Sequence, residues 1–296
     1  MREYIKNCKI HQLRHFSNEL TWVDILRLDL LHPVVSGNKW FKLQYYLKEA
    51  LATNQNKIAT FGGAYSNHIV ATAFVAKERG LQSMGFIRGE MNGDLTPTLI
   101  QARNYGMQLL FIDRDRYRNK EQIIKEWDQR GIYWIMEGGY GIAGARGAAE
   151  ILTIFDTSKY THILCAVGTG TMMAGLIKGA KTHQQVIGIS ALKNHFQLEN
   201  EVRLLLNPLE NQPSFSLLHD YHFGGYAKHP AELTAFMKTT WQTEQLPTDI
   251  VYTSKLLFAA KDLIKKNYFP PESKLLLIHS GGLQGNHSLL PDSLPF

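Results

Sequence analysis

The chain has 296 residues, 44% of them hydrophobic and 20% charged, with 24 glycines against 10 prolines. That composition excludes disordered, collagenous and low-complexity chains, and at about 150 residues per domain it allows two domains or one large α/β unit with an elaboration. The net charge is +6, but the basic residues are scattered and the longest run is the pair Lys265 and Lys266, so neither a nucleic-acid nor a membrane patch stands out. Cys8 and Cys165, one in a polar N-terminal segment and one in an apolar run, do not make a disulfide framework. The N-terminal segment interrupts its apolar residues with charge and amide. The least charged stretch, 163–177, is short and broken by Gly168, Gly170 and Gly175. A cytoplasmic protein without a membrane span is expected.

In chain order, short apolar runs predict strands at 24–31, 58–61, 83–87, 108–112, 133–136, 162–167, 186–191, 216–221 and 274–279. Amphipathic stretches between them predict helices. The first covers 40–51, with Leu43, Tyr46, Leu47, Ala50 and Leu51 on one stripe, and the second covers 67–79. A third starts at Thr96 and Pro97, and others follow at 116–129, 143–154, 172–181, 231–243 and 254–266. This alternation is the pattern of parallel strands joined by crossover helices, a doubly wound α/β protein. No repeat or linker marks a domain boundary by composition.

Ligands of open α/β sheets bind beyond the carboxyl ends of the strands. Five glycine-rich turns fall there: Ser36-Gly37-Asn38-Lys39, Gly62-Gly63-Ala64-Tyr65-Ser66-Asn67, Glu137-Gly138-Gly139-Tyr140-Gly141, Gly168-Thr169-Gly170-Thr171 and Ser280-Gly281-Gly282. Any one could be only a tight turn; five together point to a ligand site. Gly168-Thr169-Gly170-Thr171 follows an apolar strand and opens a helix, a setting suited to a phosphate dianion. It is neither a Walker loop nor a dinucleotide fingerprint, because Met173 stands at the third glycine position, and Ser190 and Lys193 lie where a ribose-binding acid belongs. These absences weigh against a nucleotide-dependent oxidoreductase. Lys39, at the junction of a glycine loop and a helix, is placed to reach into the crevice as an amine nucleophile, but Lys42 is one turn on, and spacing alone leaves the two unseparated. His279 and His287 have no paired metal-ligand spacing, so no metal is expected.

The strings HPVVSGNKWFKL, TFGGAYSNHIVATAFVA, EGGYGIAG, VGTGTMMAGL, HFGGYAK, VYTSK and IHSGG together resemble the 1-aminocyclopropane-1-carboxylate deaminase and D-cysteine desulfhydrase family, over about residues 27–282 and in the family's order. The resemblance implies a tryptophan-synthase-β-like, fold-type-II enzyme with two doubly wound open parallel sheets, pyridoxal 5'-phosphate as cofactor, a small amino-acid substrate and a homodimer. With Lys39 at the start of the first core helix, residues 1–41 and 153–296 are expected to form the large cofactor-binding domain, and 42–152 an inserted smaller α/β domain. By the resemblance, Lys39 is the lysine that carries the cofactor. Asn67 lies beside the cofactor's ring hydroxyl, and Ser66 contacts the substrate carboxylate or acts in proton transfer and nucleophilic attack. Val167, Gly168, Thr169, Gly170 and Thr171 form the phosphate cradle. Tyr226 and Tyr252 face the substrate, and Ser280 lies near the pyridine nitrogen or ring edge. Apart from the resemblance, Ser66 reads as a helix cap and an isolated tyrosine as a packing residue.

The chain also departs from the family pattern, at Leu28, Trp40, Phe41 and Met172, which leaves a catalytically silent relative as a further reading. Cyclopropane deaminases carry Glu and Leu where this chain has Thr253 and Ser280. Desulfhydrase-type members carry small hydroxyl residues at both. A neutral hydroxyl leaves the cofactor ring a moderate electron sink, sufficient for β-elimination with a good leaving group. The resemblance therefore implies D-cysteine desulfhydrase chemistry, giving pyruvate, ammonia and sulfide. Ring opening of 1-aminocyclopropane-1-carboxylate to 2-oxobutyrate and ammonia is the alternative.

Overall fold

The computed structural model describes residues 2–91, 93–128, 131–209 and 212–296. Its strands are β1 (Ile10–Gln12), β2 (Thr21–Arg27), β3 (Lys57–Gly62), β4 (Gln82–Arg88), β5 (Met107–Ile112), β6 (Ile132–Ile135), β7 (His162–Val167), β8 (Gln185–Ser190), β9 (Phe215–Leu218) and β10 (Ser273–His279). One sheet has the order β1-β2-β10-β7-β8-β9 and the other β5-β4-β3-β6. Every pairing is parallel except that of the edge strand β1 with β2. The four-stranded sheet is drawn from residues 57–135, and the six-stranded sheet from the chain on either side of it.

β7 shows why the sheet is covered on both faces. All six residues of its HILCAV run are buried, as in a parallel strand under helices on each side. Side chains alternate across a strand. Accordingly, Ile163, Cys165 and Val167 join Met173, Leu176 and Ile177 of the helix Thr171–Gly179, while Leu164 and Ala166 join Leu256, Leu257, Ala260 and Leu263 of the helix Thr253–Lys265. On the first face the helices lie unusually close. A Cβ added at Gly147, in the helix Ile142–Ala149, would stand 2.0 Å from the Phe41 carbonyl, and one at Gly175 would stand 2.4 Å from Ala148 Cβ. These helix glycines serve backbone packing and not turns.

Several predicted boundaries shift for identifiable reasons. The strand expected at 24–31 ends at Arg27, whose guanidinium pairs with Asp29 at 2.6 Å across the 3-10 turn Leu28–Leu30. The helix expected at 116–129 is two, Arg114–Arg118 and Lys120–Trp127, divided at Asn119, whose side chain accepts the Gln122 amide of the second; Gln129 lies outside the described residues. The helix expected at 143–154 changes to 3-10 geometry over Glu150–Thr153. The strand expected at 216–221 stops at Leu218, and Tyr221 instead donates to Asp262 at 2.7 Å. β1 and the helix Leu198–Arg203, too short or too polar to show a periodicity, are absent from the sequence reading. No helix among the described residues is long and apolar enough to cross a membrane.

Candidate active site

Because β2, β10 and β7 are adjacent and parallel, the turns that leave their carboxyl ends meet at mid-sheet. The Gly37 amide donates to the Leu28 carbonyl at 2.8 Å, the Asn38 amide to the Ser280 carbonyl at 3.1 Å, and the Gly282 amide to Ser36 Oγ at 3.4 Å. Gly37 has φ +66°, and a Cβ there would stand 1.8 Å from the Ser280 carbonyl oxygen. The other sheet contributes its turns at the same place. Asn67 Nδ2 donates to the Gly282 carbonyl at 3.1 Å, and a Cβ at Gly138 would touch the Thr169 methyl at 2.9 Å. A Cβ at Gly168 would lie 3.0 Å from the Tyr252 hydroxyl. The five glycine turns thus line one crevice between the two sheets.

Lys39 and Lys42 both enter it. Lys39 Nζ donates to Asn38 Oδ1 at 2.7 Å. Burial lowers its amine from 10.5 to about 8, with Asp249 pulling the other way. Lys42, 4% exposed, donates to the Gly138 carbonyl at 3.1 Å, and burial followed by the Lys39 charge pushes its amine well below 10.5. Beside them is His68, absent from the sequence-predicted set although it stands in the quoted SNH string. The Thr60 hydroxyl donates to the Ile135 carbonyl at 2.8 Å, so His68 Nε2 must donate to Thr60 Oγ1, also 2.8 Å away. That assigns the tautomer with Nδ1 as a bare acceptor, and burial with the two lysine charges keeps the ring neutral. His68 Nδ1 and Asn67 Oδ1 are both buried without a partner among the described residues.

At the end of β7, Gly170 adopts a left-handed φ of 78° and opens the helix Thr171–Gly179 with no side-chain cap. Its leading amides have no intrahelical acceptor, and Thr169 Oγ1 and Thr171 Oγ1 stand 3.1 Å apart beside them. Open amides, a buried amine of lowered affinity for protons and orphaned polar atoms at Asn67 and His68 fit a phosphate-bearing aldehyde such as pyridoxal phosphate. Ser66 caps the helix Asn67–Glu78, accepting the Ile69 amide at 3.4 Å. The Ser280 hydroxyl has no hydrogen bond among the described residues, whereas that of Thr253 is held by Asp249 at 2.6 Å.

Tyr226 and Tyr252 meet edge-to-face with ring centroids 6.1 Å apart. Burial raises both phenols, so each stays a proton donor near neutral pH. Tyr226 rides on a loop where Gly224 and Gly225 have positive φ and so, at a cost in strain, do Phe223 and Ala227, a conformation that needs outside support. Lys255 supplies it. Fully buried, its ammonium donates to the Gly225 carbonyl at 2.7 Å and that of Ala191 at 3.4 Å. Asp249, also fully buried, accepts the amides of Val251, Tyr252 and Thr253 and so fixes the entry to the helix that carries Lys255. Neither residue was in the predicted set: Asp249 stands four residues before the helix Thr253–Lys265, not at the position immediately before it where a capping residue is legible. Lys255→Met leaves the Gly225 carbonyl unpaired, a loss of about 1–3 kcal/mol. Thermal melts should show that loss and steady-state kinetics a fall in kcat at nearly constant KM, whereas unchanged turnover would remove the lysine from this role.

The departures from the family pattern are packing choices. Leu28 and Phe41 are buried in the core, and Trp40 stacks on His32 at 5.7 Å. Met172 Sδ accepts Asn38 Nδ2 at 3.2 Å.

Comparison with known proteins agrees with this geometry. A family model described as "Pyridoxal-phosphate dependent enzyme" matches residues 1–281. A Thermotoga maritima protein provisionally named 1-aminocyclopropane-1-carboxylate deaminase is 31% identical, with 88% of each chain covered. A Bradyrhizobium protein named 1-aminocyclopropane-1-carboxylate deaminase is 27% identical over 84% of this chain and 82% of its own. A crystal structure described as a homologue of that deaminase superposes with TM-score 0.81 at 26% identity, covering 95% of this chain and 90% of the other. A cystathionine beta-synthase from Helicobacter pylori, at TM-score 0.69 and 14% identity over 97% and 96% of the two chains, shares the fold.

Proposed function

Because the chain belongs to the pyridoxal-phosphate dependent enzymes, we propose that it eliminates a β-substituent from a small amino acid, D-cysteine being the test case, to give pyruvate, ammonia and sulfide. The cofactor, when bound, supplies the electron sink for charge developing at the substrate's Cα. Lys39 would anchor it, and the free Lys39 amine would take the substrate's Cα proton. The amides of Gly168, Thr169, Gly170 and Thr171, following Val167, hold the phosphate; Asn67 adjoins the ring hydroxyl. Ser66 and the first turn of its helix receive the substrate carboxylate. Tyr226 and Tyr252, both protonated, hold the leaving group and supply its proton.

The reading is carried by Ser280. It offers the end of β10 an unengaged hydroxyl in place of an aliphatic side chain, a neutral polar neighbour that suits a moderate electron sink. The names of the relatives favour a second reading, ring opening of 1-aminocyclopropane-1-carboxylate, for which Ser66, Tyr226 and Tyr252 are the candidate nucleophile and acids. Sulfide release from D-cysteine supports the first; 2-oxobutyrate from the cyclopropane substrate with no sulfide from D-cysteine overturns it. A homodimer in the cytoplasm completes the proposal, its oligomeric state testable by sedimentation.

Cofactor capture should follow the ionisation of Lys39. With its amine at about 8, about a tenth is neutral at pH 7, against about three in ten thousand for an ordinary lysine. The rate at which the cofactor-free protein takes up pyridoxal phosphate is expected to rise with pH and level off above about 8. A rise that continues to pH 10 contradicts the assignment.

A further inference from the structure

Next to the crevice, on the side of the four-stranded sheet, is a cavity of about 600 Å³ lined by Gly63, Arg88, Arg114, Tyr117, Lys120 and Glu137, among others. It opens at the turn that precedes Ser66. Arg88 Nη2 would lie 3.7 Å from a Cβ at Gly63, and the charges of Arg88 and Glu137 act on the Tyr226 hydroxyl. The cavity therefore adjoins both the carboxylate-binding turn and the tyrosine pair.

Its chemistry is cationic. Lys120 is engaged by Glu137 at 3.1 Å and lies over the Tyr117 ring at 4.6 Å; Arg118, on the rim, pairs with Asp115 at 3.3 Å. Arg88 and Arg114 have no acidic partner among the described residues. Tyr117 is 3% exposed, and its hydroxyl, near Glu137 but outside hydrogen-bond geometry, is buried with no partner among the described residues. The guanidinium groups of Arg88, which lies over the Tyr117 ring at 6.0 Å, and of Arg114, both exposed to the cavity mouth, leave the lining cationic against the single carboxylate of Glu137, which suits an oxyanion. The site for the amino acid's own carboxylate is elsewhere, on the helix that begins after Ser66.

We propose that this cavity is a subsite for a second anionic group, so that amino acids carrying a carboxylate, sulfonate or phosphate on the side chain bind more tightly than neutral ones. The inference rests on the assignment of the crevice as the pyridoxal-phosphate site. It extends the substrate class beyond D-cysteine to amino acids whose β-substituent is a sulfonate or phosphate: that group is drawn away from Cα into a cationic cavity, the direction in which a leaving group departs.

The test is titration of the yellow holoenzyme, read by its cofactor absorption band, with both enantiomers of aspartate, cysteate and O-phosphoserine, and of alanine as the neutral comparator. At least one oxyanionic amino acid is expected to bind tenfold or more tightly than alanine, and that ratio is expected to collapse towards one in Arg114→Ala and Arg88→Ala. A yellow enzyme that shows no preference, or a preference untouched by both variants, overturns the subsite and leaves the cofactor assignment standing. A protein that takes up no cofactor fails the underlying reading instead, and calorimetry with aspartate then tests the subsite without the cofactor.

Discussion

Lys39→Ala is expected to lower turnover by at least about 10³-fold, because one substitution removes both the cofactor's covalent anchor and the general base, and a positioned base alone contributes about 10²–10⁴-fold. The protein should still fold. Lys39 lies in the first turn of the helix Asn38–Ala52, where its amine has a single hydrogen bond, to the neighbouring Asn38. Removing a partly desolvated ammonium costs the fold little. Lys42→Met provides the contrast. It deletes the bond to the Gly138 carbonyl and so disturbs the adjoining turn, with an expected loss in rate below about 10²-fold and retention of the yellow holoenzyme. Measuring kcat for both variants at saturating cofactor separates the two lysines, a choice that their spacing of three along one helix face leaves open.

Gly37→Ala should be the most damaging single change to the fold near the site. Its backbone has φ 66° and ψ −145°, a region essentially reserved for glycine, and the new Cβ would stand 1.8 Å from the Ser280 carbonyl oxygen and 2.6 Å from the Gly281 amide nitrogen. Both neighbours are backbone, so nothing flexible can yield. Relief requires the 36–38 and 280–282 turns to separate, breaking the bond from Asn38 N to Ser280 O and the contact of Gly282 N with Ser36 Oγ. The combined cost should reach about 4 kcal/mol, at the upper end for point mutations, with loss of cofactor uptake at temperatures where the fold survives. Gly80→Ala, also at positive φ but with no atom within 4 Å of the added Cβ, carries the backbone strain alone. Denaturant titration is expected to show a clearly larger loss for Gly37→Ala than for Gly80→Ala; equal losses would contradict the importance of the contact between turns.

The sequence carried the fold where periodicity was strong. A six-residue apolar run such as HILCAV becomes a strand buried on both faces with the bounds expected of it, because burial on both sides leaves no room for polar interruption. Boundaries slipped where side-chain chemistry, not hydrophobicity, ends an element, as at the Arg27 and Asp29 pair and at the Asn119 cap. Strand-end glycines were legible because their positions follow from topology. Helix glycines such as Gly147 and Gly175 were not, since close approach of two helices depends on which faces meet in three dimensions. The supporting polar residues were hidden for a similar reason. Lys255 acts on the Tyr226 loop through carbonyls distant in sequence, and Asp249 through amides two to four residues on, a local bond that hydrophobic periodicity does not register, and Arg88 and Arg114 share a cavity only because β4 and the segment after β5 are neighbours in the smaller sheet. A residue's type shows what it can do; its partner is supplied by the fold.

Lys39, not Lys42, is expected to hold pyridoxal phosphate in the crevice where the glycine turns meet. Borohydride reduction of the yellow holoenzyme, followed by proteolysis and mass spectrometry, tests it most directly. A pyridoxyl group on Lys39 alone is expected, with loss of the label in Lys39→Ala. A label on Lys42, or a protein that takes up no cofactor to be fixed, would contradict it.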